Sequence, residues 1–251
     1  MYTKVKLGFP FLNRAKAEIG FAYGRLNDYY FQTSNMTFPN ATTDHSRYDL
    51  FAGSLSIERN SLDYKQYPIS GRKQFLVAQY VTGTEKYMPS PITDMGSFDR
   101  KVHSWLQMKG EWEQYKTISP YFNLGFMSEL VLSSKNLMNN YTASVLQAPA
   151  FTPTPHSQIV FNEAFRANQY VAFGLSPILK FSKLLHFRLD MYGFAPLYEI
   201  KKEEVWNNNT YTAIPITGNS FILLNIWEKQ PLFYNCLSLA SACMQTDTAI
   251  H

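Results

Sequence analysis

Ile57-Glu58-Arg59-Asn60-Ser61-Leu62-Asp63-Tyr64-Lys65-Gln66-Tyr67-Pro68-Ile69-Ser70-Gly71-Arg72 is a polar reversal set between two strand-like patterns. Before it, Phe51, Gly53, Leu55 and Ile57 alternate with smaller or more polar neighbours. After it, Phe75-Leu76-Val77-Ala78-Gln79-Tyr80-Val81 is β-branched and aromatic. Asn60 and Asp63 favour a turn, Pro68 cannot donate to a sheet ladder, and Gly71 admits positive φ. Two antiparallel strands joined here are therefore the unit from which the fold is read.

The same alternation recurs outward from this unit. Thr3 to Phe11 and Ala15 to Phe31 form a first pair about a tight turn at Asn13-Arg14, with Ala17, Ile19, Phe21 and Tyr23 on one face. Arg47 to Glu58 and Arg72 to Thr82 flank the opening motif. Leu106, Met108, Gly110 and Trp112 then oppose Gln107, Lys109, Glu111 and Glu113. Across a turn at Ile118-Ser119-Pro120, Phe122, Leu124, Phe126, Leu130 and Leu132 oppose Asn123, Gly125 and Glu129. Val171, Phe173, Leu175 and Leu179 share a face, and beyond Ser182-Lys183 the residues Leu185, Phe187, Leu189 and Met191 oppose His186, Arg188, Asp190 and Tyr192. Each is a period-two pattern, which is the signal of a strand with two unlike faces.

The connections alternate as regularly as the strands. The tight ones are separated by long ones: Gln32 to Ser46, Gly83 to Val102, Ser133 to Asn168 and Glu199 to Thr212. An up-and-down transmembrane barrel has this layout, with short turns at the periplasmic rim and long loops outside. A soluble sandwich has no reason to keep every second loop long.

Composition agrees with a β-rich chain bearing broad apolar surfaces. Of 251 residues 16 % are aromatic, including 17 Tyr and 19 Phe, while only 17 % are charged, below the usual quarter. The net charge of +4 is spread without a basic block, so nucleic acid is not indicated as a partner. No run approaches the roughly 18 apolar residues of a spanning helix, a test that barrel strands escape. Cys236 and Cys243 fit no zinc spacing, and no cofactor or metal motif is present.

Periodicity alone fits either a sheet covering a soluble core or a barrel wall facing lipid. Long strands, aromatic residues near strand ends (Tyr23, Tyr80, Trp105, Trp112, Tyr170) and the alternating loops favour the barrel. The expected fold is all-β: an antiparallel up-and-down transmembrane β-barrel, here a partial barrel of about eight or nine strands.

Asn60-Ser61-Leu62-Asp63 followed by Tyr67-Pro68-Ile69-Ser70-Gly71 resembles the periplasmic turn of the bacterial surface antigen superfamily. Leu146-Gln147-Ala148-Pro149-Ala150-Phe151-Thr152-Pro153-Thr154-Pro155-His156 and Phe161-Asn162-Glu163-Ala164-Phe165-Arg166-Ala167-Asn168 are similar to the C-terminal barrel of Bacteroidetes patatin-like phospholipases. The similarity covers Lys4 to Tyr198. It implies a parent with an N-terminal patatin domain, an outer-membrane location, outer-membrane lipid and the barrel-assembly machinery as partners, and a whole barrel of about sixteen strands. Patatin chemistry uses a Gly-x-Ser-x-Gly elbow with a Ser-Asp dyad. Gly174-Leu175-Ser176-Pro177-Ile178 fails at the last position, so no hydrolase site is expected in this chain.

The superfamily also folds a long loop into the lumen behind an Arg-Gly signature. Ser133 to Asn168 occupies that place, with Phe165 and Arg166 at the signature and Ala167 where glycine is usual. The resemblance leads to an expected pairing of Arg166 with a lumen carboxylate, Asp190 first, with Glu111 and Glu113 as rivals. The periplasmic turn would be marked by Asn60, Asp63, Tyr67, Pro68 and Gly71.

The alternation fades after Gly218, and Phe221 to Trp227 is a continuous rather than alternating run, apolar but for Asn225. Residues 1–217 are therefore read as the partial barrel and 218–251 as an atypical tail, frameshifted or truncated. The absence of a leader before the first strand points the same way, to a fragment. Two other readings stay open: a small complete porin-like or adhesive barrel, and a secreted β-sandwich binding module.

Overall fold

A computed structural model describes residues 1–30, 44–88, 99–136, 138, 141–154, 157–159, 161–181, 185–202, 211–215 and 221–229. The turn expected at Ser182-Lys183, the prolines Pro89 and Pro91, and both cysteines lie outside the described residues. The chain is all-β and antiparallel. Its strands are β1 (Tyr2–Leu12), β2 (Ala15–Tyr30), β3 (Asp44–Asn60), β4 (Gly71–Met88), β5 (Asp99–Ser119), β6 (Phe122–Ser133), β7 (Tyr170–Lys180), β8 (His186–Pro196), β9 (Tyr198–Lys202), β10 (Tyr211–Pro215) and β11 (Phe221–Lys229). A nine-stranded sheet runs in the order β1-β2-β3-β4-β5-β6-β7-β8-β11, and β9 and β10 pair separately. Every neighbour up to β8 is also the next in sequence, the up-and-down order expected. Among the described residues β1 and β11 are its edges.

Register explains why the two faces differ so sharply. Ile19, Leu55, Ala78, Met108 and Leu132 stand opposite one another from β2 to β6. One position along, Glu18, Ser56, Val77, Lys109, Val131 and Tyr170 form the matching row on the other face. A slip of one residue would exchange these faces, so the alternation pins the pairing. The aliphatic face is left open: Phe21 is 66 % exposed, Leu106 49 % and Leu130 41 %. Charged residues of the opposite face are covered instead, with Glu85 fully buried and Asp190 1 % exposed. This polarity is inverted relative to a water-soluble sheet, which covers its aliphatic face.

Strands β3, β4 and β5 run further than the alternation of large apolar residues suggested. Glu85, expected in a loop, pairs in register with Tyr48 and Lys101, and Gly83 with Leu50 and His103. Glu85 and His103 are buried together on the inner face, so their polarity does not end the strand. Two aromatics placed near strand ends also need correction. Trp105 and Tyr170 are buried on the inner face, whereas Tyr80 and Trp112 point outward as expected. At the far end, Phe221 to Lys229 pairs with Phe194 to His186 of β8. The boundary drawn at 217 therefore does not mark the end of the sheet.

The segment between β6 and β7 holds a helix α1 (Tyr141–Leu146) and a 3-10 turn (Glu163–Phe165). It lies against the inner face in two places. Phe151, Phe165 and Ala167 pack on Met127, Val131, Tyr170, Ala172, Tyr192 and Phe194. Met138, Ala143 and Leu146 pack on Tyr30, Tyr48, Val81 and Trp105. No helix among the described residues is long and apolar enough to cross a membrane.

Candidate functional site

The β3–β4 turn is built by its own side chains. The Asn60 amide oxygen accepts the Leu62 N–H at 3.0 Å. One carboxylate oxygen of Asp63 accepts three backbone N–H groups, from Tyr64 (2.9 Å), Ile69 (3.0 Å) and Ser70 (3.2 Å). Ser61 closes the base, its hydroxyl donating to the Arg72 carbonyl at 2.9 Å and accepting the Arg72 N–H at 3.1 Å. Tyr67 takes φ 52° and Gly71 φ 105°. A Cβ at Gly71 would collide with the Ser61 carbonyl, so only glycine fits there.

This turn does not hang free at the rim. It reaches across the inner face to β6 and β8. Asn123 donates from Nδ2 to the Ile69 carbonyl at 2.6 Å, and Arg188 from Nη1 to the Pro68 carbonyl at 2.9 Å. In a flat sheet β4 and β8 would be about 19 Å apart, four spacings of roughly 4.8 Å. The ten-residue turn bridges that interval.

Arg188 is the hub of the contact. Its Nε donates to Asp190 at 2.7 Å and its Nη2 to the Tyr115 hydroxyl at 3.1 Å. The guanidinium also lies 5.6 Å from the Tyr67 ring centre and 5.2 Å from that of Tyr115. Gly125 makes room, because a Cβ there would strike the Tyr115 ring. Ser176 donates to the same Asp190 oxygen at 2.5 Å. That serine belongs to the incomplete Gly-x-Ser motif. It and Asp190 are both buried, and Asp190 is already engaged by Arg188, so the pair serves packing and not nucleophilic attack.

The expected partnership of Arg166 with Asp190 is not what the chain forms. Arg166 donates from Nη1 to the carbonyls of Leu146 (2.8 Å) and Ala148 (3.2 Å), and lies 4.6 Å from the Phe161 ring centre. Asp190 is taken by the nearer cation on its own strand. Backbone carbonyls are sufficient for a guanidinium, which carries five donors and needs no carboxylate. Arg166 thereby ties the two arms of the loop together, aided by the Ala150–Arg166 bridge and the Phe151 N–H to Phe165 carbonyl bond at 2.9 Å. Phe165 meets Phe194 at 5.6 Å between ring centres. The alanine at 167 is accommodated, buried in the same cluster.

Glu111 and Glu113 face inward as expected, but they share Lys73, at 3.1 and 3.5 Å. A third inward carboxylate, Glu129, binds Lys109 at 2.9 Å and the Tyr170 hydroxyl at 2.5 Å. Near the long-loop end, Glu85 binds His103 Nε2 at 2.7 Å and accepts from the Tyr48 hydroxyl at 3.3 Å. Lys135 sits over Trp105, 5.0 Å from the ring centre, and donates to the Gln147 carbonyl at 2.5 Å. Burial pulls its ammonium down to about 7, against the opposing pull of the Glu85 carboxylate. Burial likewise lowers the Arg166 guanidinium. Gln147 in turn donates to Asp28 of β2 at 2.8 Å.

Sequence reading found the inward carboxylates and the turn residues. It missed the Arg188 hub and the Glu85–His103–Lys135 group. Arg188 was visible beside Asp190, two positions apart on one face, but its partner in the turn is the Pro68 carbonyl, which no side-chain pattern records. Among the described residues no group of three or more His, Cys, Asp or Glu could hold a metal ion. The arrangement fastens a turn and a loop onto a polar surface.

No known protein family, curated protein or solved structure matches the chain.

Proposed function

We propose that the chain forms part of the wall of a bacterial outer-membrane β-barrel of the surface antigen type, and that this barrel anchors or exports a lipid acyl hydrolase domain. The observation that carries the barrel reading is the inverted polarity of the sheet. Large aliphatic and aromatic side chains are open on one face, and paired charges are covered on the other. Lipid solvates the first face and a polar lumen holds the second. A sandwich would bury the aliphatic face against a second sheet. The link to a patatin-like parent rests on the turn and loop motifs, Asn60 to Gly71 and Leu146 to Asn168.

Two single-tryptophan variants test the wall. Trp112 points outward, 5.4 Å from the Phe126 ring, and Trp105 points inward. In micelles of a brominated detergent the variant retaining only Trp112 should be quenched and the one retaining only Trp105 should not. A soluble monomer in detergent-free buffer, or equal quenching of the two, overturns the reading. Sequencing the genomic DNA on both sides of the coding region tests the parentage. A neighbouring reading frame with a Gly-x-Ser-x-Gly elbow is expected, and its absence from both sides removes the lipolytic assignment.

A further inference from the structure

On the outward face near the short turns, every charged side chain of β3, β4 and β5 is a cation. Arg59 stands opposite Gln74, which stands opposite Trp112, and Arg72 stands opposite Gln114. Lys116 lies two residues beyond Gln114 on the same face. Arg59, Arg72 and Lys116 are exposed, and among the described residues none makes an ion pair or a side-chain hydrogen bond. The inward cations behave differently. Lys16, Lys73, Lys109 and Arg188 each hold a carboxylate. Glu58 and Glu113, the acidic residues nearest in sequence to Arg59 and Lys116, are turned to the inner face with Lys16 and Lys73, and Asp63, the nearest to Arg72, holds three backbone N–H groups of the turn.

A recess of about 380 Å³ opens at this corner, lined by Arg59, Ser61, Gly71, Arg72, Gln114 and Tyr115. Immediately along the strands begins the apolar surface of Ile57, Leu76 and Trp112, which lines a second, larger and mostly apolar recess shared by Arg59, Glu111 and Glu129. Two guanidinium forks therefore sit at the border of an apolar face. Guanidinium binds phosphate in a bidentate manner, and long basic side chains at such a border place their heads at headgroup level.

We propose that Arg59 and Arg72, with Gln114 beside them, form a binding site for the phosphodiester of an anionic phospholipid at the short-turn rim. The site rests on the barrel reading above and adds to it a ligand and a leaflet. The apolar recess accepts the proximal acyl chains, while the paired arginines hold the phosphate. The side of the sheet carrying the short turns then prefers a negatively charged lipid.

The variant retaining only Trp112 reports on this site, because Trp112 lies on the next strand but one from Arg59. In micelles of an alkyl maltoside, brominated phosphatidylglycerol and brominated phosphatidylcholine are compared at equal mole fraction. Stronger quenching by phosphatidylglycerol is expected, with each arginine contributing roughly a fivefold preference, the worth of one basic residue near an anionic surface. Arg59→Gln and Arg72→Gln should each remove about that factor, while Arg59→Lys and Arg72→Lys, which keep the charge but lose the fork, should remove a smaller part of it. Equal quenching by the two lipids, or a preference untouched by both glutamine variants, overturns the site and leaves the wall intact. Absence of quenching by either lipid overturns the wall itself. Binding of inorganic phosphate that both glutamine variants abolish, together with equal quenching by the two lipids, assigns the recess to a free anion and overturns the lipid as its ligand.

Discussion

The guanidinium of Arg188 donates to the carbonyl of Pro68 at 2.9 Å, joining β8 to the β3–β4 turn across 120 residues of chain. The turn is thus held at both its ends, by Asp63 within and by Arg188 from across the sheet. Arg188→Met would leave Asp190 buried without its cation, at a cost of about 3–5 kcal/mol. Unfolding in detergent micelles should register that loss, and limited proteolysis should cut sooner at Lys65. Arg188→Met combined with Asp190→Leu should recover much of the stability, since the stranded charge is gone, but leave the turn as cleavable as in the single variant.

Gly71 carries the backbone conformation at the base of the same turn, φ 105° against the Ser61 carbonyl. Gly71→Ala should cost roughly 1–3 kcal/mol, the range for residues forced into sparsely populated backbone regions. Asp63→Ala should be comparable, because three N–H groups lose their acceptor, and Asp63→Asn milder. Amide exchange at Ile69 and Ser70, whose N–H groups Asp63 holds, is the measurement; unchanged protection would contradict the assignment.

Lys135 gives the docked loop a pH dependence of definite sign. Burial lowers its ammonium from an ordinary value of 10.5 to about 7, so the docked loop favours the neutral amine. Its contribution is complete above about pH 10.5, declines as the pH falls through the interval, and is fully lost below about pH 7. Protection of the α1 amides, corrected for intrinsic exchange, should fall in step. Lys135→Met should flatten the curve, which separates this amine from Glu85 and His103 in the same group.

Arg166 and Asp190 occupy different networks, one on backbone carbonyls and the other on Arg188. Exchanging their charges should therefore rescue nothing. A double-mutant cycle should return a coupling within about 0.5 kcal/mol of zero, the value for residues without shared partners. Arg166→Gln alone should loosen the 146–151 arm and raise proteolysis there.

Leu106 and Gln107 are neighbours on opposite faces of β5, and they separate the two solvents most simply. If lipid bathes the outer face, Leu106→Arg costs about 2–4 kcal/mol when placed near the bilayer midplane, while Gln107→Arg costs little. In a soluble protein the order reverses, because Leu106 is already open to water and Gln107 is half-buried.

The faces of the strands were legible because a sheet has a period of two and each face has a single kind of neighbour. Leu106, Phe126 and Val171 declared one side, and Lys109, Glu129 and Asp190 the other. Strand ends were less legible. Glu85 read as a loop residue until its contact with His103 supplied a reason for burial. The placement of Trp105 and Tyr170 was missed for a related reason, since aromatic rings suit both the outer rim and the loop-covered inner face. Arg166 was assigned a carboxylate by analogy, although the carbonyls of its own loop lay within reach. The Pro68 carbonyl that holds Arg188 belongs to the backbone, and residue identity does not encode it.

Strand β5 contains 21 residues, β4 contains 18 and β3 contains 17. At about 3.4 Å per residue β5 spans roughly 70 Å, whereas a tilted strand crosses a bilayer in about 9–11 residues. On the barrel reading, the membrane grips only half of each long strand. The rest stands above the surface as a hydrogen-bonded palisade, with Arg25 and Asp49 paired on its outside and α1 packed within. Such a palisade would set the outer ends of the strands at a fixed height over the lipid, a spacing that a flexible tether could not maintain.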